Sequence, residues 1–451
     1  MVSSARTAME AEPSPESAEK RSIPLYVRVL VGVALGALLG VAFGKDPYLF
    51  GLKNEHLGQI GVLVIKLLKA LAVPLIFLSI LDSFVKTRFS ARQGGKLILI
   101  CLVNVSVAMT IGLVIMNTLR PGERWKGQID ALLGAVPSGG SSAEQVLAES
   151  HKGTLSLIDN IASYVPKSML DPFSENNVIA VVFMSLLVGA ALRRLKDRSP
   201  PDEQTDILAV ERVVEGAYRI LVQMLHWVVQ VVPFAVFGVV AQVVGRAGIS
   251  VFSVLWVFLA TMLLGLAIHS FVYYPLVAWL VGRKSPRRYL GQGADAIVTG
   301  LSCNSSLATV PITLSCLDRM GVSKGSARMA ACVGTNLNND GITLYEAMAA
   351  LFLTQAVGYE LGLSKQLTIV LQSIMAGAGV AGIPEAGLIV LPLVLSGAGL
   401  PEPVIAAALP LIMTVDWIIA RCRSVVNVMS DMLVAILLDV GQKPDASSDP
   451  R

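Results

Sequence analysis

Polar and charged side chains recur near the C-terminal end of the chain, inside a run that is otherwise apolar. Five positions share one face of a helix, within an arc of roughly 80° at about 100° per residue: Asp416, Ala420, Arg423, Asn427 and Asp431. Arg423 offers a carboxylate two parallel hydrogen bonds, and Asn427 and Asp431 supply oxygens of the kind that hard cations bind. Such a stripe predicts a binding site, the alternative being ion pairs that lock helices together.

A second polar cluster lies in the stretch from Gly334 to Gly341, where three asparagines and an aspartate occur in eight residues. Gly341 permits local unwinding, so backbone carbonyls together with Asn338 and Asp340 would form a cage for a monovalent cation. Glu346 follows in an apolar helix. It is a candidate proton carrier, or else a carboxylic acid satisfied by a helix contact.

Two segments rich in small residues, 289–320 and 365–396, are broken by Pro311 and Pro384. In the first, serines at the start of a half-helix would form an anion site, or would simply cap the break. In the second, glycines at 377–382 fit a tip between two half-helices. Non-helical backbone at membrane depth lines a cavity or is buried in protein, so both breaks favour a binding site in this half.

Composition identifies the environment. The chain has 451 residues, of which 54% are hydrophobic and 15% charged, and its mean hydropathy is +0.67. A soluble domain carries about 25% charged residues, so a cytosolic globule is excluded, as is a disordered chain. The net charge of +4 is small, and the basic residues lie between apolar runs instead of forming a patch that would bind nucleic acid. The chain is predicted to be an all-α polytopic membrane protein.

Apolar runs long enough to cross a bilayer predict eight spans, since a helix needs about 20 residues to do so. They lie near 24–44, 58–84, 96–118, 176–195, 212–244, 250–282, 327–356 and 404–438. Clusters of Lys and Arg between the spans place both termini in the cytoplasm. In the first span, glycines at 32, 36, 40 and 44 predict a face that packs closely against another helix.

Together these segments resemble the glutamate transporter family, the dicarboxylate/amino acid:cation symporters, over residues from about 25 to 440. Four motifs in order carry the resemblance: Ser305-Ser306 with Ala308-Thr309 and Pro311; Asn338-x-Asp340-Gly341 followed by Leu344-Tyr345-Glu346; Ala381-Gly382-Ile383-Pro384 with Ala386-Gly387; and Asp416-Trp417 leading to Arg423, Asn427 and Asp431.

The resemblance implies an elevator-type homotrimer of eight transmembrane helices plus two re-entrant helical hairpins, in the cell (inner or plasma) membrane. The implied parts are a cytoplasmic tail (1–22), scaffold helices one and two (23–93), transport-domain helix three (94–119), an extracellular loop with scaffold helices four and five (120–247), the rest of the transport domain (248–440) and a second cytoplasmic tail (441–451).

The resemblance also implies roles for individual residues. Arg423 matches the arginine that binds the distal carboxylate of the substrate. The implied substrate-binding set is Ser305, Ser306, Ile342, Gly382, Ile383, Gly387, Ala420, Arg423, Ser424 and Asn427. One implied sodium site comprises Gly334, Asn338, Asn427 and Asp431, a second includes Asp340 with Asn338, and a third includes Asn336 with the loop from Gly377 to Val380.

The implied partners are a small anionic substrate, copies of the same chain and the lipid bilayer. Neither catalytic residues nor a cofactor are implied, and sodium ions or protons would be the coupled ions. The chain is accordingly expected to be a secondary transporter of a dicarboxylate or an acidic amino acid. A sodium-coupled aspartate/glutamate symporter and a substrate-gated anion channel remain as alternatives. An intramembrane hydrolase is disfavoured, because Ser302, Ser305 and Asp340 lack a suitably placed histidine.

Several positions depart from the family pattern. Ala420 stands where members that transport amino acids carry an aspartate, so a dicarboxylate without an amino group is expected to bind at least as well as aspartate. Val105 and Ile342 replace oxygen ligands, and Asn339 replaces a methionine. These changes predict weak or absent sodium dependence. Protons are then favoured as the coupled ion, carried by Asp340, Asp431 or Glu346.

Overall fold

The computed structural model describes most of the chain outside its tails. The described residues are 25–48, 51–86, 91–125, 168–174, 178–198, 200, 204–249, 251–358, 361–378 and 386–441. The predicted cytoplasmic tails, the greater part of the loop at 120–173 and the tip of the second hairpin lie outside these ranges.

The described residues fold into α-helices, two π-helical segments and short 3-10 turns, without a strand. The α-helices are α1 (Leu25–Phe43), α2 (Asn54–Lys86), α3 (Ala91–Leu119), α4 (Asp171–Ser174), α5 (Val178–Arg198), α6 (Gln204–Ala247), α7 (Val251–Ala267), α8 (Tyr274–Leu280), α9 (Pro286–Cys303), α10 (Ser306–Arg319), α11 (Lys324–Arg328), α12 (Asp340–Ala356), α13 (Leu363–Ala378), α14 (Ala386–Gly397) and α15 (Glu402–Asp439). The all-helical prediction is confirmed for this part of the chain.

Helices occupy most of each of the eight predicted spans within the described residues. Within the described ranges, four segments are long and apolar enough to cross a membrane, judged by length and composition: Asn54–Asp82, Gly94–Leu119, Thr205–Arg246 and Leu255–Leu280. The first predicted span forms the shorter apolar helix Val27–Phe43. The described part of the chain therefore has several helices that could cross a membrane, and the count of eight stays a prediction.

The glycine ladder of α1 packs against α6, as its spacing predicts. A Cβ atom added at Gly32 would lie 2.7 Å from the carbonyl oxygen of Pro233, and one added at Gly36 would lie 2.5 Å from that of Phe237. At Gly40 the corresponding distance to the Ala241 oxygen is 2.8 Å. Because these separations are shorter than any ordinary carbon–oxygen contact, only glycine allows the two backbones to approach this closely.

The C-terminal half is built around α15, which packs on both arms of the first hairpin, on α12 and on α14. The first hairpin is formed by α9 and α10. Its tip turns at Asn304, whose left-handed backbone (φ 51°, ψ 38°) ends α9, and Ser305 then caps α10 by accepting a hydrogen bond from the Ala308 N–H. The second hairpin pairs α13 with α14, and α3 packs on α12.

The seventh span is interrupted within the stretch from Gly334 to Gly341, where its polar composition predicted an irregularity. A π-helical segment, Met329–Val333, and a 3-10 turn, Gly334–Asn336, precede the start of α12 at Asp340. The expectation that Gly341 marks the unwinding is therefore wrong, since it lies in the first turn of α12. Its lack of a side chain has another reason: a Cβ there would lie 2.5 Å from the Arg423 carbonyl oxygen.

A second π-helical segment, Ile268–Tyr273, divides the sixth predicted span between α7 and α8. It carries His269 and Tyr273, and Tyr274 follows as the first residue of α8. Neither composition nor hydrophobic spacing indicated this irregularity. π-Helical turns inside α-helices are rare and often occur at functional sites.

Candidate substrate and ion site

The polar stripe of α15 is buried along its whole length. Asp416, Ala420, Arg423, Asn427 and Asp431 are each at most 3% exposed. Arg421, which the helical geometry placed on another face, is only half-buried. The structure thus confirms that these five positions share a face turned into the protein.

Arg423 is held by three groups. Its Nη1 and Nη2 atoms donate to Oδ1 and Oδ2 of Asp416, each at 3.0 Å, and its guanidinium carbon lies 4.1 Å from the centre of the Tyr345 ring. A Cβ atom at Gly387 would lie 2.6 Å from the guanidinium. The sequence suggested that this guanidinium binds a substrate carboxylate. In the structure its partner is Asp416, two turns away on the same helix. Gly387, on α14, brings the second hairpin against it.

The tip of the first hairpin joins this group. Ser424 Oγ donates to Asn304 Oδ1 at 3.0 Å, and Thr335 Oγ1 donates to Ser306 Oγ at 3.3 Å. Ser305 and Ser306 are buried. The break in the first hairpin therefore contacts both α15 and the interrupted seventh span, as a shared site requires.

The start of α12 connects the second hairpin to α15 through amide side chains. Asn427 Oδ1 accepts from the Gly341 N–H at 2.9 Å, and Asn427 Nδ2 donates to Asn339 Oδ1 at 3.2 Å. Asn339 Nδ2 in turn donates to the Gly377 carbonyl at 3.0 Å, at the end of α13. Asn339 thus bridges two elements that its sequence context did not link.

Asp340 is surrounded by hydrogen-bond donors. Its Oδ2 atom accepts from the Tyr274 hydroxyl at 2.8 Å and from Ser430 Oγ at 2.8 Å, and it lies 3.3 Å from His269 Nε2. All four side chains are at most 2% exposed. Sequence reasoning missed His269 and Tyr274 as members of this group. A histidine followed by two tyrosines inside an apolar span was the available signal.

Asp431 and Asn338 present unsatisfied oxygen atoms. Thr335 and Asn338 lie beside the Asp431 carboxyl group. Asp431 Oδ1 and both polar atoms of the Asn338 amide, Oδ1 and Nδ2, have no hydrogen-bond partner among the described residues, although both side chains are buried. Of the other two residues implied for this site, Asn427 Oδ1 is already used, and the Gly334 carbonyl accepts from the N–H groups of Leu337 and Asn338.

The remaining implied residues divide into two groups. Ile342 and Ser424 are buried, and Glu346 is fully buried with neither carboxyl oxygen hydrogen-bonded within the described part of the chain. Gly382 and Ile383 lie outside the described residues, as does the side chain of Asn336.

Comparison with known proteins places the chain among transporters. The excitatory amino acid transporter 3 of Oryctolagus cuniculus is 26% identical, over 90% of this chain and 83% of that protein. An excitatory amino acid transporter of Caenorhabditis elegans is 27% identical, over 95% and 89%. The C4-dicarboxylate transport protein of Azorhizobium caulinodans is 29% identical, over 95% and 91%. The model of the sodium:dicarboxylate symporter family matches residues 25–440, and the chain belongs to that family.

Proposed function

We propose that this protein is a secondary transporter that carries a dicarboxylate across the cell membrane. The observation that supports this most is Arg423, a buried guanidinium against which Gly387 of the second hairpin packs closely. A planar guanidinium pairs with a carboxylate through two parallel hydrogen bonds. Relatives named for C4-dicarboxylate transport and for excitatory amino acid transport both match over most of their length.

The substrate favoured by the site is a dicarboxylate without an amino group. Ala420 lies on the buried face of α15 between Asp416 and Arg423 and brings no charge to offset an ammonium. Asp416 is the nearest acid on that face, and it is already paired with Arg423. An ammonium buried without a partner is costly. The alternative, an aspartate/glutamate symporter, would require Asp416 to serve both cations.

The substrate must compete with Asp416. The two hydrogen bonds to Asp416 use two of the five guanidinium donors. A substrate carboxylate therefore either shares the guanidinium or displaces Asp416 from it. The internal pair keeps the charge of Arg423 compensated when no substrate is bound, which is important in a membrane interior.

Two groups can couple transport to an ion gradient. Asp431 and Asn338 have unpartnered oxygens, so they fit a small cation, whose charge would offset that of the carboxylates nearby. Glu346 is not committed to a hydrogen bond among the described residues, and a carboxyl group can carry a proton across the membrane. We assign Glu346 as the proton carrier, with sodium confined to the Asn338–Asp431 position.

The movement proposed is an elevator motion in a homotrimer. In support, α1 and α6 are joined by glycine-mediated backbone contact and α2 packs on α6, which suits a rigid scaffold. The helix α3 follows α2 in the chain but packs on α12 in the C-terminal half, which suits the assignment of α3 to the transport domain. The clusters of Lys and Arg between the spans support a cytoplasmic location for both termini.

Uptake into proteoliposomes tests the proposal. Labelled succinate and labelled aspartate are offered separately, with sodium and proton gradients imposed one at a time. We expect succinate uptake at least equal to aspartate uptake, and we expect Arg423→Ala to abolish both. Arg421→Ala is the matched control, because Arg421 is half-buried and donates to the Trp417 carbonyl of its own helix. Unchanged succinate affinity in Arg423→Ala would contradict the assignment.

A further inference from the structure

The Oδ2 atom of Asp340 does not fit a sodium ligand, although the family pattern implies Asp340 as one. A carboxylate oxygen has about two lone-pair directions. The Oδ2 atom of Asp340 already faces Tyr274, Ser430 and His269, at 2.8, 2.8 and 3.3 Å. His269 Nε2 is assigned as the donor, because an unprotonated ring nitrogen would face a negatively charged oxygen. A cation at this oxygen would have to displace at least one of these donors.

The neighbouring oxygen from α3 is occupied in the same way. Asn104 is the residue on α3 that could have lent an oxygen to a cation beside Asp340. Its Oδ1 atom accepts a hydrogen bond from the Tyr273 hydroxyl at 2.9 Å. The next residue, Val105, is buried and apolar. Donors from one segment, 268–274, therefore serve the oxygens of both α12 and α3.

At a second implied cation position, one carbonyl oxygen also accepts a hydrogen bond from a side chain of the protein. The Gly377 carbonyl belongs to the loop that the resemblance assigns to a sodium ion, and it accepts from Asn339 Nδ2 at 3.0 Å. Asn339 Oδ1 accepts from Asn427 in turn. The amide does two things that a bound ion would do: it partners a carbonyl oxygen, and it joins the second hairpin to α15.

From these contacts we infer that His269, Tyr274 and Asn339 determine the ion coupling of this transporter, because their N–H and O–H groups occupy an oxygen atom at each of two implied cation positions, Asp340 Oδ2 and the Gly377 carbonyl. The chain then binds at most one sodium ion, at Asn338 and Asp431. This inference rests on the proposed transport function. It goes further by naming the residues that set the number of sodium ions.

Direct counting of bound sodium tests the inference. Purified full-length protein is equilibrated with ²²Na⁺ in a choline-balanced buffer, and bound sodium is measured per chain. We expect one ion or none. If one binds, Asp431→Asn should lower the bound sodium at least tenfold, whereas Asp340→Asn should leave it within twofold. These two variants are matched, since each replaces a buried carboxylate with its amide.

Two or three sodium ions per chain would overturn the inference, as would loss of sodium binding in Asp340→Asn but not in Asp431→Asn. The wild-type count decides the question even if a variant fails to fold. Binding of labelled succinate is measured on the same samples. If succinate does not bind while the sodium count is one or none, the proposed substrate is wrong and the account of the ion sites stands.

Discussion

The pair formed by Asp416 and Arg423 leads to a prediction in two parts: breaking the pair should lower the stability of the fold and raise the affinity for substrate. Asp416→Asn removes the negative charge and keeps the shape of the side chain. Both side chains of the pair are at most 3% exposed, and two hydrogen bonds of 3.0 Å join them. Removing one partner of a buried pair costs about 3–5 kcal/mol, because the other charge is left uncompensated.

The expected loss lies at the lower end of that range. Asn retains one side-chain oxygen, so one of the two hydrogen bonds to Arg423 can persist. We therefore expect a loss of about 3 kcal/mol and a correspondingly lower Tm. A matched control is Asp295→Asn, which breaks a well-formed but solvent-exposed pair with Arg319 and should leave Tm unchanged.

Substrate binding should change in the other direction. In Asp416→Asn the carboxylate of succinate no longer competes with an internal anion, and it restores the missing charge beside Arg423. We expect succinate affinity to rise at least tenfold, which corresponds to about 1.4 kcal/mol. The assay is thermal unfolding of the purified protein with and without succinate, and the succinate-induced rise in Tm should be larger in the variant. A folded variant that binds succinate more weakly would show that Asp416 positions Arg423 for substrate rather than competing with it.

Three further predictions use substitutions elsewhere, with Gly216→Ala as a common control because a Cβ there meets nothing within 4 Å. Gly387→Ala places a methyl group 2.6 Å from the Arg423 guanidinium, so we expect succinate affinity to fall at least tenfold in a binding titration. An unchanged affinity would contradict the close approach of α14 to Arg423. Gly36→Ala should lower Tm by several degrees by separating α1 from α6, and equal Tm values for this variant and the control would refute the packing argument. Glu346→Gln should abolish uptake driven by a proton gradient but leave succinate exchange intact, and gradient-driven uptake that survives would remove Glu346 from proton coupling.

Sequence reasoning was most successful where one physical rule dominated. Apolar length located the helices, because an apolar run of about 20 residues has few other stable forms in a membrane. The four-residue spacing of Gly32, Gly36 and Gly40 predicted a close helix contact, and only the identity of the partner helix was missing. The 100° rotation per residue correctly gathered Asp416, Arg423 and their neighbours on one buried face.

The predictions that failed depend on two things that a sequence pattern does not contain. One is how far a side chain reaches, and the other is a local change in backbone hydrogen bonding. Helical geometry placed Arg423 and Asp416 on the same face, but it could not show that the long arginine side chain spans two turns to pair with that aspartate. Gly341 was taken as the point of unwinding, whereas its role is to leave room for the Arg423 backbone. The sequence did not link His269 to Asp340, because the two residues lie 71 positions apart in the chain.

The π-helical segment at Ile268–Tyr273 has a consequence for how sequences of this kind can be compared. In a regular α-helix, residues five apart differ by about 140° in direction, so His269 and Tyr274 would point to different sides. Both contact the same oxygen of Asp340, because hydrogen bonding from i to i+5 brings such residues onto one side. Deleting one residue between His269 and Tyr274 would leave the two residues four apart, which in a regular α-helix is a difference of only about 40° in direction, so both would stay on one side. A related chain whose sixth helix is a regular α-helix would therefore need its histidine and tyrosine four residues apart, rather than five, to build this cluster.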